Sequence, residues 1–94
     1  MKPDAPFSRT DLARELDANA IGNRMLFGGN LLRQPAFVQL QQQRPDAVRV
    51  AADLNGSDAI MADTLFLGTY PGLTHEMLEA EITVIRGFCN AKFL

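Results

Sequence analysis

Two stretches of this 94-residue chain, NRMLF at residues 23–27 and TLFLGT at residues 64–69, read as β-strands. Each is a short run rich in apolar and β-favouring side chains, broken at or near its end by glycine. Residues 47–51, AVRVA, alternate only weakly and add at most a third short extended segment. Two strands make a poor sheet by themselves, and a sheet this narrow needs helices over one face. Either the rest of the chain supplies all the cover, or the sheet is short of a member.

The helices are more legible. Ser8 is a good N-cap, with Asp11 three residues on near the helix's positive end, and Phe7 and Leu12 occupy the two positions of a hydrophobic staple. Leu12, Leu16 and Ala20 then repeat every four residues, with Arg14, Glu15 and Asp17 on the other face. Asn19 or Gly22 suits a left-handed stop. Residues 36–43, AFVQLQQQ, predict a helical turn or a second short helix with its glutamines in solvent. Ser57 predicts the cap of a short helix running through about Asp63, with Ile60 and Met61 inward. Tyr70-Pro71-Gly72-Leu73 fits a type II turn. Thr74 then caps the last helix, whose apolar face reads Leu78, Ile82, Ile85 and Phe88 or Cys89. The resulting order is α+β: a short antiparallel sheet with helices packed on one face.

The inventory of reactive groups is thin. One histidine, His75, and one cysteine, Cys89, exclude a Cys/His metal cluster and an internal disulfide. The only lysines, Lys2 and Lys92, stand near the two ends, whereas a Schiff-base lysine must sit in a structured, desolvated pocket. His75 has no evident acid partner at useful spacing, and Cys89 reads as a small buried hydrophobe. The expectation is a chain with no catalytic residue and no metal of its own. Net charge is −2 with both signs scattered, so no basic stripe marks a nucleic-acid partner. No apolar run approaches the roughly 20 residues of a membrane helix, and MKPDAPFSRTD has no signal-peptide centre. One domain resident in the cytoplasm is the expectation.

One segment stands apart. In MLFGGNLLRQPAF, residues 25–37, an apolar run stops at Gly28, Gly29 and Asn30 and is followed closely by Arg33. The spacing is not that of a dinucleotide-binding glycine motif. Two readings stay open: an ordinary turn, or a loop shaped around a ligand. Arg33, between Leu32 and Pro35, is either a solvated arginine with a packed stem or a guanidinium suited to phosphate or carboxylate. Tyr70, at the end of a strand, either packs on the core or points its phenol into a cleft.

Three blocks, PFSRTDL, IGNRMLFGGNLLRQPAF and SDAIMADTLFLGTYPGLT, resemble the C-terminal end of the sugar-nucleotide 3-dehydrases of RfbH type, within the DegT/DnrJ family of aminotransferase-like proteins. The resemblance covers nearly the whole chain and is loose only at residues 39–53. It implies the small C-terminal domain of an aspartate-aminotransferase-like, pyridoxal phosphate-dependent transferase, from lipopolysaccharide or deoxysugar synthesis. A large domain, absent here, would hold pyridoxal or pyridoxamine phosphate, so this chain alone would bind no cofactor and be inactive. A sugar aminotransferase of the same family, or a stand-alone interaction module, are the alternatives. The resemblance locates Gly28, Gly29, Asn30 and Arg33 where the small domain meets a nucleotide sugar; Tyr70 joins them as a candidate substrate-binding residue. Asn30 would bond a sugar hydroxyl or phosphate; Arg33 would meet phosphate or order the loop. Position 66 is phenylalanine where many relatives carry tryptophan, and position 59 is alanine where some carry arginine. A strand missing from the sheet implies an exposed edge and hence a homodimer.

Overall fold

The computed structural model describes residues 1–93. Helix α1 (Arg9–Ala18) begins as its sequence dictates. Ser8 Oγ accepts from the Asp11 backbone N–H at 3.1 Å, and Asp11 Oδ2 accepts from the Ser8 N–H at 2.9 Å, which closes a capping box. The bond from the Ser8 backbone N–H, and after it one that the Ser8 hydroxyl donates to Asp11 Oδ2 at 2.9 Å, hold the Asp11 carboxyl below the ordinary carboxylate range. The helix stops differently from expectation. Asn19 is the C-cap, but the left-handed residue is Ala20, at φ 57°. The Ala20 N–H bonds the Asp17 carbonyl at 3.0 Å, and the Ile21 N–H bonds the Leu16 carbonyl at 2.9 Å. That pairing is a Schellman motif, which needs its left-handed residue directly after the cap, two positions before Gly22.

Strands β1 (Asn23–Met25) and β2 (Leu65–Leu67) pair antiparallel, with Asn23, Arg24 and Met25 opposite Leu67, Phe66 and Leu65. Each is shorter than its apolar run. β1 ends because the Gly29 N–H bonds the Leu26 carbonyl at 2.9 Å, turning the chain over Phe27 and Gly28. Residues 48–51 join no strand. A single turn of 3-10 helix, Leu31–Arg33, leads into α2 (Pro35–Gln43), whose first residue is a proline, where its missing N–H costs nothing. Gln42 and Gln43 are exposed as expected, while Gln41 is half-buried and donates to the Phe37 carbonyl at 3.1 Å. Helix α3 (Asn55–Asp63) starts before Ser57, which lies within its first turn instead of capping it. Asp53 takes up the Asn55 N–H at 3.2 Å in its place. Ile60, expected inside, is exposed; Met61 is half-buried.

Helix α4 (His75–Phe93) is capped as predicted, with Thr74 Oγ1 accepting from the Met77 N–H at 3.2 Å. It lies along α1, and Phe7 meets Phe88 edge-to-face at 4.8 Å. Its inward stripe is Glu81, Val84, Ile85, Phe88 and Cys89; Leu78 and Ile82 are 42% and 41% exposed. The predicted face is thus covered only in its second half. Ten residues of α1 make about 15 Å of helix against about 28 Å for the nineteen of α4. The turn before α4 closes with the Leu73 N–H on the Tyr70 carbonyl at 3.1 Å, but Gly72 is not left-handed, so it is not type II. The Tyr70 ring lies over Gly72 where a Cβ would stand, and as that ring is exposed it can swing aside.

The only buried apolar side chains among the described residues are Ala13 and Leu16, the latter 1% exposed. The radius of gyration is 17.3 Å, against about 12 Å for a compact chain of this length. The accessible surface is 7241 Å², where a closed monomer of this mass shows about 5,400 Å². The molecule is an open α+β layer with most of its apolar residues only half covered.

Candidate functional site

The glycine-asparagine segment is a loop built against α3. Gly29 sits at φ 61°, and an added Cβ would lie 2.5–2.7 Å from the Met61 side chain. Left-handed backbone and close approach both demand glycine here. Gln34 Nε2 donates to the Gly28 carbonyl at 2.6 Å, closing the loop from its far end. Asn30 is 4% exposed, the one buried polar residue among those described. Its Oδ1 accepts from the Leu32 N–H at 3.1 Å, capping the 3-10 turn, and its Nδ2 donates to Asp58 Oδ1 at 2.9 Å.

Arg33 meets the same carboxylate. Its Nε donates to Asp58 Oδ1 at 3.2 Å and its Nη2 to Asp58 Oδ2 at 3.0 Å, a two-pronged pair. The Arg33 guanidinium, and after it the Asn30 amide, hold the Asp58 carboxyl below the usual carboxylate range; the carboxylate in turn raises Arg33. Asp58 is the partner that sequence reasoning missed. Its only local signal is an acid in the first turn of a helix, which the helix dipole alone explains. At its other end α3 is held by α1, since the Arg9 guanidinium donates to the Met61 carbonyl. That carbonyl lies in the last turn of α3, where four carbonyls lack helical partners.

Gly28, Gly29, Asn30 and Arg33 therefore come together around Asp58 and Met61. Tyr70 does not join them: it is exposed, its ring lies over Gly72, and among the described residues no hydrogen bond links it to the loop. His75 has an acid partner after all, Glu79 one turn on at 3.6 Å, but both side chains are largely exposed, where such pairs add little. Cys89 is half-buried on the inner stripe of α4. No group of three metal-ligating side chains forms among the described residues, and none of their helices is long and apolar enough to cross a membrane.

The tight turn has a consequence on the outside. Phe27 takes φ 35°, uncommon for a bulky residue, and its side chain is 90% exposed. Its ring lies 6.1 Å from that of Phe66, which is also exposed. With Asn23, Arg24 and Met25 these rings line an open groove of about 480 Å³ along the sheet. Arg24 and Phe66 are cross-strand partners and share one face. Among the described residues Arg24 has no acidic partner.

No protein-family profile matches the chain. It is 37% identical over 93 residues to the lipopolysaccharide biosynthesis protein RfbH of Salmonella typhimurium, covering 99% of this chain and 20% of that protein. It is 39% identical over 85 residues to a dTDP-4-dehydro-2,6-dideoxy-D-glucose 3-dehydratase of Saccharopolyspora spinosa, covering 90% of this chain and 17% of that enzyme. The chain thus spans about one fifth of the length of these curated relatives. The likeness runs along almost the whole chain, which is similar to a portion of each of these two proteins.

Proposed function

We propose that this chain is the small C-terminal domain of a sugar-nucleotide 3-dehydrase with an aspartate-aminotransferase-like fold, working in the cytoplasm in deoxysugar or lipopolysaccharide synthesis. It forms one wall of a cleft and contributes no reacting group. The observation that carries this reading is the open layer itself: 7241 Å² of surface and a core of two side chains, in a chain similar to one fifth of larger proteins. A wall made to be covered is expected to look like this before its partner is in place.

The reaction would be loss of the C3 hydroxyl from a 4-keto deoxysugar carried on a nucleotide. Pyridoxal or pyridoxamine phosphate, which the resemblance implies for the parent enzyme, has no fitting site in these residues. Lys2 and Lys92 are exposed near the two ends, and the polar side chains of the loop are spent on Asp58 and on the Gly28 carbonyl. The larger domain would hold the cofactor and the base. In this chain, Gly28 and Gly29 give the loop its path. Asn30 and Arg33 order it through Asp58, the second of the two roles open to Arg33. Tyr70 offers a phenol at the other margin of the wall. The unpaired edges of β1 and β2 favour pairing in a homodimer.

A chimera tests this. The matching portion of the Saccharopolyspora relative is replaced by this chain, and dehydration of dTDP-4-dehydro-2,6-dideoxy-D-glucose is followed. Measurable turnover by the chimera, and none by the 94-residue chain, is the expected result. A well-folded chimera without turnover, or cofactor binding in stoichiometric amount to the isolated chain, counts against it.

A further inference from the structure

Three facts converge on the outer face of the small sheet. Phe27 is held in the open by a left-handed backbone, a conformation that costs free energy for a phenylalanine and persists only where the surroundings enforce it. The surroundings do so: Gly29 is wedged on Met61, and Gln34 clamps the Gly28 carbonyl. Phe66 stands beside it, and Arg24, on the same face as Phe66, carries a guanidinium that meets no acid among the described residues. Arg33, by contrast, is already taken by Asp58.

We infer that Arg24, Phe27 and Phe66 form the surface that receives the nucleoside diphosphate part of a nucleotide sugar, the base lying on an aromatic ring and the diphosphate on Arg24. This rests on the reading of the chain as one wall of a nucleotide-sugar cleft, and names where on that wall the nucleotide goes. Aromatic faces accept any base, and a guanidinium matches phosphate oxygens in a two-pronged geometry. The two rings, 6.1 Å apart, are too near to sandwich a base, which needs two stacking steps of roughly 3.4 Å. The base therefore stacks on one ring with the second at its edge. An apolar protein partner fits the face less well, because it would bury Arg24 without a counter-charge.

The test is a titration of the full chain with dTDP and with CDP, observed through the ring protons of Phe27 and Phe66 and the Nε–H of Arg24. Thymidine and inorganic pyrophosphate serve as separate arms. Either nucleotide is expected to shift all three residues, thymidine the rings alone, and pyrophosphate Arg24 alone. Phe27→Ala weakens nucleotide binding at least about fivefold, the low end of a lost base stack, and Arg24→Gln removes the response to pyrophosphate. Phe27 is almost fully exposed, so its truncation leaves the core untouched. Phe27→Gly adds a second readout: it relieves the left-handed strain, so thermal stability rises while nucleotide affinity falls.

Shifts confined to Asn30, Arg33 and Asp58 would overturn this assignment and leave the nucleotide-sugar reading standing. No shift with any nucleotide at millimolar concentration would overturn the assignment as well, while turnover by the chimera would still judge the wider reading. If Phe27→Ala changes sedimentation behaviour but not nucleotide affinity, the face is a protein interface and the inference fails.

Discussion

The loop at residues 28–34 and helix α4 are held in opposite ways. The loop has almost no regular structure, yet its polar groups are spoken for: Asn30 and Arg33 converge on Asp58, and Gln34 closes on Gly28. Helix α4 has nineteen residues of regular hydrogen bonding and no buried side chain. Its inner stripe leans on α1 and Phe7, and its first two turns leave Leu78 and Ile82 uncovered. Regularity and fixity are different properties here. A short irregular segment with a buried carboxamide and a two-pronged ion pair is tied to its neighbour. A long amphipathic helix without a partner along half its length is not, because most helical stability in proteins comes from packing of the apolar face.

The sharpest way to break this contrast is at Gly29. Gly29→Ala places a methyl group against Met61 in a left-handed backbone, and a loss of roughly 3 kcal/mol is expected in urea unfolding. A loss below about 1 kcal/mol, less than the left-handed penalty alone, would mean that the loop is not pressed on α3 as described.

A smaller effect is expected from acid. Asp58 titrates lower when folded than when unfolded, so the clasp contributes stability above the ordinary aspartate value of about 3.9. That contribution is lost as pH falls from there through the depressed folded value. Protection of the Leu32 N–H, held by Asn30, should fall over that window relative to its intrinsic exchange rate at each pH, and Asp58→Asn should remove that loss of protection. Asp11 titrates in the same direction at the start of α1, so α1 amides will also respond, but Asp58→Asn will not alter them.

The smallest effect belongs to α4. Leu78→Gln and Ile82→Gln should each change the stability of the isolated chain by less than about 0.5 kcal/mol. In the chimera the same substitutions should lower stability clearly if the larger domain covers this face. Equal, negligible effects in both settings would show that the first half of α4 stays in solvent throughout.

Much of this architecture was readable without coordinates, and the reasons are local. Ser8 with Asp11 and Thr74 with Met77 are contacts within four residues, so cap chemistry declares them. The two apolar runs that became β1 and β2 stood out for the same reason, although their ends did not. Met25 ends β1 because of a turn closed by Gly29, and Ala20 outcompetes two better left-handed candidates because a Schellman pairing sets the position. The candidate site was half legible. Gly28, Gly29, Asn30 and Arg33 do form one cluster, but Asp58 lies 25 residues beyond Arg33 and the groove at Arg24, Phe27 and Phe66 carries no motif.

The amino-acid sequence alone determined the main element types, the capped starts of α1 and α4, the scarcity of reactive groups and the likeness to part of a sugar 3-dehydratase. Those depend on residues near one another in the chain, or on composition. Only the tertiary structure decided that Arg33 meets an acid while Arg24, among the described residues, does not, that Phe27 faces solvent, and that the first half of α4 is only partly covered. Each of those depends on which distant segment arrives at a given surface, and a side chain's charge and exposure are set by that neighbour as much as by its own chemistry.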